Sequence, residues 1–372
     1  MNNAKTSHRA RSRSRLLPLA GVAGALFFSC MAAPPSTVLA FEGGRVLAAT
    51  SVEAESVEAL LKRLRPELLA MLPDADFEDL EVWIQERPSL YRYATDATAD
   101  AEGLWSPSHR RIMLSRHADH LERTLAHELT HAVLGESWAM LPGSLEEGLA
   151  DHVSASLCED GAARLSAGRL SSACLATGGL EIDLDVFRRA PDGSPEPEER
   201  GWSARVKLRG DTDNTDPLDV FRLAAGLSST RIDSGSKRGF YGLAYLVVTR
   251  IVERGGYGAL HTLCVDAEAE GLERVPVTRV LEAAGLSADP ADWRAAAARA
   301  MTRDDVVELL RMYPDFLVDG LVDYVEELGT DQLADAIDLV DVRVGVRGGV
   351  VRVGLDDLPF VRTAVVDALT QR

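Results

Sequence analysis

Residues 121–152, LERTLAHELTHAVLGESWAMLPGSLEEGLADH, constrain this chain more than any other stretch. His127 and His131 stand four apart in His127-Glu128-Leu129-Thr130-His131. On a helix of 3.6 residues per turn they share one face, one turn apart, so both rings can reach one metal ion. Leu121, Leu125, Leu129 and Val133 mark the opposite, apolar side of that helix. Glu128 projects beside the histidines, where it can take a proton from a water at the metal instead of ligating. A catalytic zinc site uses three protein ligands and keeps a fourth position open. Two histidines leave it one ligand short.

The second half of the stretch supplies the third. After Gly135 the chain loops through Pro142-Gly143 and resumes as SLEEGLADHVSASLC. Leu145, Leu149, Val153 and Leu157 recur every four residues, the pattern of a helix with one buried stripe. Glu147 and Asp151 are also one turn apart, on another face. A Glu ligand at 147 would be followed by an Asp able to accept the outer ring N–H of a ligating histidine and fix its tautomer. Glu146 is the rival ligand, but the residue four beyond it is Ala150, which can do no such job, so Glu147 is preferred. Ser144-x-x-Glu147 also fits a capping box, which would turn Glu147 back onto the start of its own helix.

HELTHAVL followed by LPGSLEEGLADHVSA resembles the gluzincin zinc metallopeptidases, whose pattern is H-E-x-x-H and, later, E-G on a second helix. It is most similar to the bacterial peptidase MA-like group, with its HELTHA…EGLA core. The resemblance implies Zn2+ held by His127, His131 and Glu147, Glu128 as general base, and Asp151 behind a ligand. It departs at Gly143-Ser144-Leu145, where family members often carry an aromatic residue, so it says nothing of the cleft wall there. YGLAYLVVTRIVERGGYGALHTLC resembles a second family stretch, a Tyr-headed helix ending near a Y-G pair. Val280–Ser287 and Trp293 match the closing helices, so the likeness covers about residues 75–300.

Gluzincins place a Tyr or His opposite the metal to donate a hydrogen bond to the oxyanion. Tyr241, at the helix start, is the candidate here; Tyr245, a turn deeper, belongs in the core, and His261 comes next in line. The implied fold is α+β: a small mixed sheet and the zinc helix form one wall, a mostly helical lobe the other. The implied function is an exported zinc-dependent peptidase, a hydrolase acting on a peptide or protein substrate. The alternative is a catalytically idle module, stapled by zinc, whose cleft binds a partner. A metal-free extracytoplasmic binding protein is a third reading. The intact Glu128 favours the enzyme, since a stapling site has no need of it.

Charge narrows the partners. The 372 residues carry 40 basic and 58 acidic side chains. Residues 1–40 hold five of the basic ones (Lys5, Arg9, Arg11, Arg13, Arg15) and no acid, leaving the remainder with a net of −23. So acidic a body excludes a nucleic-acid partner and an anionic membrane surface. Residues 1–40 read as an export signal: a basic start, an apolar run from Leu16 to Ala33, and Val38-Leu39-Ala40 before Phe41. The same segment could remain as an anchor, and Cys30 would be the lipid site of a lipoprotein, but Phe27 stands where such proteins usually have an aliphatic residue. Membrane association is expected only through this segment.

Export permits disulfides. Cys158 and Cys174 flank a short segment, so a bridge is expected there, with Cys264 left as the odd thiol. Elsewhere, residues 51–72 have the spacing of an amphipathic helix, Leu80–Ile84 reads as a strand, and Ser89–Ala101 as a short helix or turn. Gly103–Trp105 and Arg111–Leu114 read as a hairpin, and the strand before the zinc helix as a sheet edge to which an extended peptide could add. The zinc helix is expected from about Arg116 to Leu134, stopped by Gly135. His120, about 10 Å along the axis from His127, is too far to share its metal, and His152 has no assigned role. Residues 181–239 read as uneven, with charged loops at 191–200 and 209–217; the Arg209-Gly210-Asp211 triplet is too short to carry meaning. The domain division is 1–40 signal, 41–300 peptidase-like domain and 301–372 extension, the last read as helices, a hairpin over 342–353 and a final helix.

Overall fold

The computed structural model describes residues 36–86, 102–188, 199–209, 215–223, 234–327, 340–346 and 349–371. Residues 1–35, with Cys30, and the whole stretch 89–101 lie outside them. Strand β1 (Thr37–Phe41) turns at Gly43 (φ 95°) into β2 (Gly44–Ala48). Helix α1 (Ser51–Met71) follows, opened by a Thr50–Glu53 capping box. Then come β3 (Leu80–Gln85), β4 (Gly103–Ser106) and β5 (Arg111–Ser115). The sheet order is β1-β2-β3-β5-β4, with β2, β3 and β5 parallel and the two outer pairs antiparallel.

Alternation along β3 sets its two faces. Leu80, Val82 and Ile84 point into the core, and Val82 sits in one row with Val46 and Ile112, all three fully buried. On the other face Glu81 is held by Arg45 and Arg111, and Arg111 also stacks on Trp83 at 3.9 Å. Glu81 thus joins two strands, each of which supplies it with one arginine. The inner face is covered by α1 and by α2 (Leu121–Val133), whose Leu125 and Leu129 are fully buried. Helix α2 starts five residues later than its pattern predicts and ends at Val133; Gly135 is extended (φ −78°) and gives no left-handed cap.

A helical lobe completes the core. It comprises α3 (Leu145–Leu157), α4 (Ala162–Ala176), α5 (Ser234–Ala269), α6 (Val277–Ala284), α7 (Pro290–Ala300), α8 (Arg303–Met312) and α9 (Asp315–Glu327). The α+β architecture expected from the sequence is what the chain adopts. Helix α5 is its spine, kinked at Gly256 (φ 72°, ψ 178°), beside the Y-G pair near which the sequence places its end. Two glycines let the neighbouring helices approach its backbone. A Cβ on Gly148 of α3 would lie 2.4 Å from the Ala244 carbonyl, and one on Gly242 of α5 would lie 2.4 Å from Arg169 O on α4. The Gly of the E-G pair is therefore a packing requirement. Gly148→Ala should cost about 1–3 kcal/mol, the usual range for overpacking, because backbone cannot swing aside as a side chain can. Urea unfolding measures it, and an unchanged midpoint would contradict the contact.

The segment read as uneven contains a strand pair, β6 (Leu180–Arg188) and β7 (Glu199–Leu208). The chain's last hairpin, β8 (Val340–Val346) and β9 (Gly349–Gly354), joins it in a second sheet of order β7-β6-β8-β9. Since β8 pairs with β6, and α8 packs on α4, residues after 300 complete structure begun at 180. The final helix α10 (Pro359–Gln371) packs on α9. At the other end, cleavage after Ala40 would remove four of the five residues of β1. Among the described residues no helix is long and apolar enough to cross a membrane.

The expected Cys158–Cys174 bridge is absent; these two and Cys264 are free and buried. Cys174 lies twelve residues into α4, about 18 Å along its axis from the helix start, whereas a disulfide needs Cα atoms within about 7 Å. Its Sγ faces Arg294 O at 3.7 Å instead. Burial pushes the Cys174 and Cys264 thiols up to about 12, which makes them unreactive packing residues.

Candidate metal centre

Helices α2 and α3 meet with their polar faces together. His127 Nε2 and His131 Nε2 are 3.3 Å apart, and Glu147 Oε2 lies 3.6 and 3.5 Å from them. These three form the one group found among the described residues that could hold a metal ion. Ligand atoms about 2.0–2.1 Å from a tetrahedral ion stand about 3.3–3.4 Å from one another, so the triangle already has the right size.

The tautomers agree. Asp151 Oδ1 lies 3.1 Å from His127 Nδ1, and Glu146 Oε1 lies 2.7 Å from His131 Nδ1. With each Nδ1–H donated outward to a carboxylate, each Nε2 turns a lone pair inward toward Glu147. The Glu147 carboxylate between the two Nε2 atoms then calls for positive charge, which protons on the rings or a metal ion can supply. Asp151 stands against the outer ring nitrogen of His127, the position the sequence assigns it. Glu146 does not: it is neither ligand nor idle, but the partner that orients the second histidine. Behind Asp151 stands Arg169 of α4, its Nε 2.5 Å from Asp151 Oδ2.

The charge balance points the same way. Glu128, Glu146, Glu147 and Asp151 crowd one region, and among the described residues the guanidinium in contact with them is that of Arg169. Burial works against charge on His127, yet hydrogen bonds to Asp151 and Glu147 lift it to about 9. Burial also opposes charge on His131, and the charge of Glu147 and the bond to Glu146 raise it well above the usual imidazole value. Glu147 is held well below the carboxylate range, its burial outweighed by the His131 charge and by bonds to both rings. The histidines thus take protons where a divalent ion would otherwise neutralise the site.

Glu128 belongs to none of these pairs. It is 9% exposed, and burial raises its pKa against the pull of the two histidines. Its carboxylate accepts from the Trp105 N–H of β4. A Cβ on Gly103 would sit 2.7 Å from Glu128 Cγ, so the glycine leaves room for this side chain beside the strand. The sheet edge along the site is therefore β4; β5, the strand just before the helix and the expected edge, lies inside the sheet between β3 and β4. A hairpin that folds back outward makes its first strand the border.

No protein-family model, curated protein or solved structure matches this chain. What marks the centre is its own geometry.

Tyr241 enters from α5. Its ring lies under the Arg169 guanidinium, 4.7 Å from centroid to Cζ. Burial and the charges of Glu147, Asp151 and Glu128 push its pKa up, so it stays a hydroxyl donor. Tyr245 is 5% exposed and packs near His152, at 5.7 Å between rings, in the core as expected. His261 is elsewhere, bonded to Ser137 and stacked on Trp138. His120 pairs with Asp160, and His152 with the Tyr257 hydroxyl; neither reaches the triangle. The capping-box alternative fails, because Ser144 makes no cap bond and Glu147 faces the histidines. Arg169 was missed; it lies 18 residues beyond Asp151 on another helix, and no local spacing announces it.

Asp151→Asn tests the support behind His127. An amide can still accept the Nδ1–H but no longer balances Arg169, and such changes usually weaken metal affinity about 10–100-fold. Competition with a chelator of known affinity measures it. Wild-type affinity in this variant would show that Asp151 does not hold the ring.

Proposed function

We propose that this chain is a zinc-dependent peptidase, exported by its N-terminal 40 residues. One observation carries the reading: Glu128, a buried carboxylate beside the ligand triangle that neither ligates nor orients a ligand. A purely structural site gains nothing from burying such a charge. Two His and one carboxylate are a donor set that suits zinc and leaves a position open.

Bound zinc would supply Lewis acidity toward a water and a peptide carbonyl. The chain's own groups do the rest. Glu128 accepts the water's proton on its carboxylate and passes it to the leaving amine nitrogen. Its raised pKa brings base and acid forms closer in energy. Asp151 and Glu146 keep the two imidazoles in the ligating tautomer, and Arg169 keeps Asp151 ionised. The edge of β4, unpaired among the described residues, can pair with an extended substrate through main-chain hydrogen bonds. Tyr241 donates its hydroxyl proton to the carbonyl oxygen as negative charge develops there.

Tyr241→Phe should lower kcat roughly ten- to a thousand-fold with KM little changed, the range for one oxyanion donor. Arg169 still has a ring to stack on in the variant, so the packing is preserved. Wild-type kcat would remove Tyr241 from the mechanism. The reading as a whole is tested by metal content of the purified chain together with cleavage of a mixed peptide library, with and without chelator. A metal-free chain, or a zinc-loaded one that cleaves nothing, would overturn it.

A further inference from the structure

Beside the metal centre lies a cavity of about 640 Å³ between the start of α2, the length of α4, the first turns of α5 and the α8–α9 junction. Five arginines line it: Arg123, Arg164, Arg169, Arg209 and Arg238. Two carboxylates, Glu102 and Asp119, oppose them, in a chain whose net charge is −18. Glu102 is already occupied, accepting from Thr124 Oγ1 and from the Asp119 N–H. Arg123 is tied to Gly161 O and Arg169 to Asp151. Arg164, Arg209 and Arg238 have no ion-pair partner among the described residues. Three guanidinium groups unpaired among the described residues and facing one concavity favour an anion there.

The cavity reaches the proposed catalytic centre through Arg169. Arg169 lines it with one face and orients Asp151 with its Nε. Gly239, two residues before Tyr241, lines it too, and Glu102 precedes Gly103, which abuts Glu128. An occupant held by Arg169 would therefore be one side chain removed from Asp151, which contacts His127. Leu165 and Leu175 add apolar wall for the methylenes of a side chain. The volume falls in the range of ordinary ligand pockets, far more than a single inorganic ion needs.

We infer that this cavity anchors a carboxylate of the peptide substrate, so that the protein selects acidic peptides. The claim that the occupant is a substrate rests on the peptidase reading; the claim that it is a carboxylate rests on the arginines. Guanidinium groups match carboxylates with paired hydrogen bonds, which gives orientation as well as attraction. The carboxylate can come from an Asp or Glu side chain or from the peptide's C-terminus.

The test uses the full chain as Glu128→Gln, loaded with zinc, so that binding is read without turnover. Fluorescent peptides are compared in pairs by anisotropy: Glu against Gln at one internal position, and free against amidated C-terminus. The acidic member of one pair should bind at least about tenfold tighter, the scale of one charge-assisted contact. Which pair responds identifies the source of the carboxylate. The preference should vanish in Arg164→Ala/Arg238→Ala, with zinc content unchanged. If that variant fails to load zinc, the single changes Arg164→Gln and Arg238→Gln decide, each reducing the preference. Equal binding within both pairs, a preference that survives the arginine changes, or no peptide binding at all would overturn the inference. Cleavage by the unmodified chain is scored separately, so the peptidase reading can fail while the acidic preference stands.

Discussion

Glu147→Ala should purify without stoichiometric metal, whereas Glu146→Ala should keep its metal more weakly. Among the described residues Glu147 is the only carboxylate within 3.6 Å of both imidazole Nε2 atoms, and it is the group that closes the triangle. Structural zinc is bound by about 10–16 kcal/mol through four ligands, so one ligand's share is about 3 kcal/mol, upwards of a hundredfold in affinity. Removing it also leaves two buried rings facing each other with no negative charge between them. Glu146 acts one bond farther out, through His131 Nδ1, and its loss belongs in the range of about 10–100-fold. Metal analysis after dialysis separates the two. Thermal unfolding gives a second readout, since an ion bound only to the native state stabilises it. Chelator should lower the melting temperature of the wild type and leave that of Glu147→Ala unmoved. A Glu147 variant with one tightly bound ion, beside a Glu146 variant with none, would exchange the roles of the two residues.

The difference between these neighbours shows where sequence stops being legible. His127, His131, Glu147 and Asp151 were readable because each pair is spaced by one helical turn, and spacing on a helix is geometry. Glu146 was dismissed because Ala150 gives it no partner on its own helix. The partner it serves is across the interface, on α2, where helix periodicity says nothing. Arg169 is the same case over a longer distance. The fold divides in the same way. Helix α1, strand β3 and the β4–β5 hairpin announce themselves by apolar period and turn residues. Strand β6 carries an equally regular alternation, Leu180, Ile182, Leu184 and Val186 inward, but Glu181, Asp183 and Asp185 stand between them, and the stretch falls in the region 181–239 that reads as uneven. Its exposed acids are paired across the ladder, Asp183 with Arg205 and Glu181 with Lys207, and that pairing exists only once β7 is in place. Sheet order was hidden for the same reason. Nothing local in the hairpin says which of its strands will sit beside β3, and so the border strand beside Glu128 was placed one strand too far in.

Glu128→Gln should bind zinc with wild-type stoichiometry, keep its fold and lose turnover by roughly a hundred- to ten-thousand-fold, the usual weight of a general base. The substitution is nearly isosteric, and a glutamine Oε1 can still accept from the Trp105 N–H, so the side chain keeps its place beside Gly103. It cannot take a proton from water. Since Glu128 lies outside the ligand triangle, the metal should not notice the change; since the effect falls on proton transfer, kcat should drop while KM stays close to its original value. This combination separates an enzyme from a zinc-stapled module with a binding cleft. In a module, Glu128 would be a buried carboxylate raised in pKa by its own desolvation, and removing its charge would relieve a cost. Such a protein should become more stable as Glu128→Gln and bind its partner as before. An enzyme that gave up some stability to keep a buried base gains the same stability and loses its reaction. Unfolding measurements alone therefore cannot tell the two apart, and turnover can. Undiminished cleavage in zinc-loaded Glu128→Gln would leave the buried carboxylate without a chemical purpose and would sink the mechanism built on it.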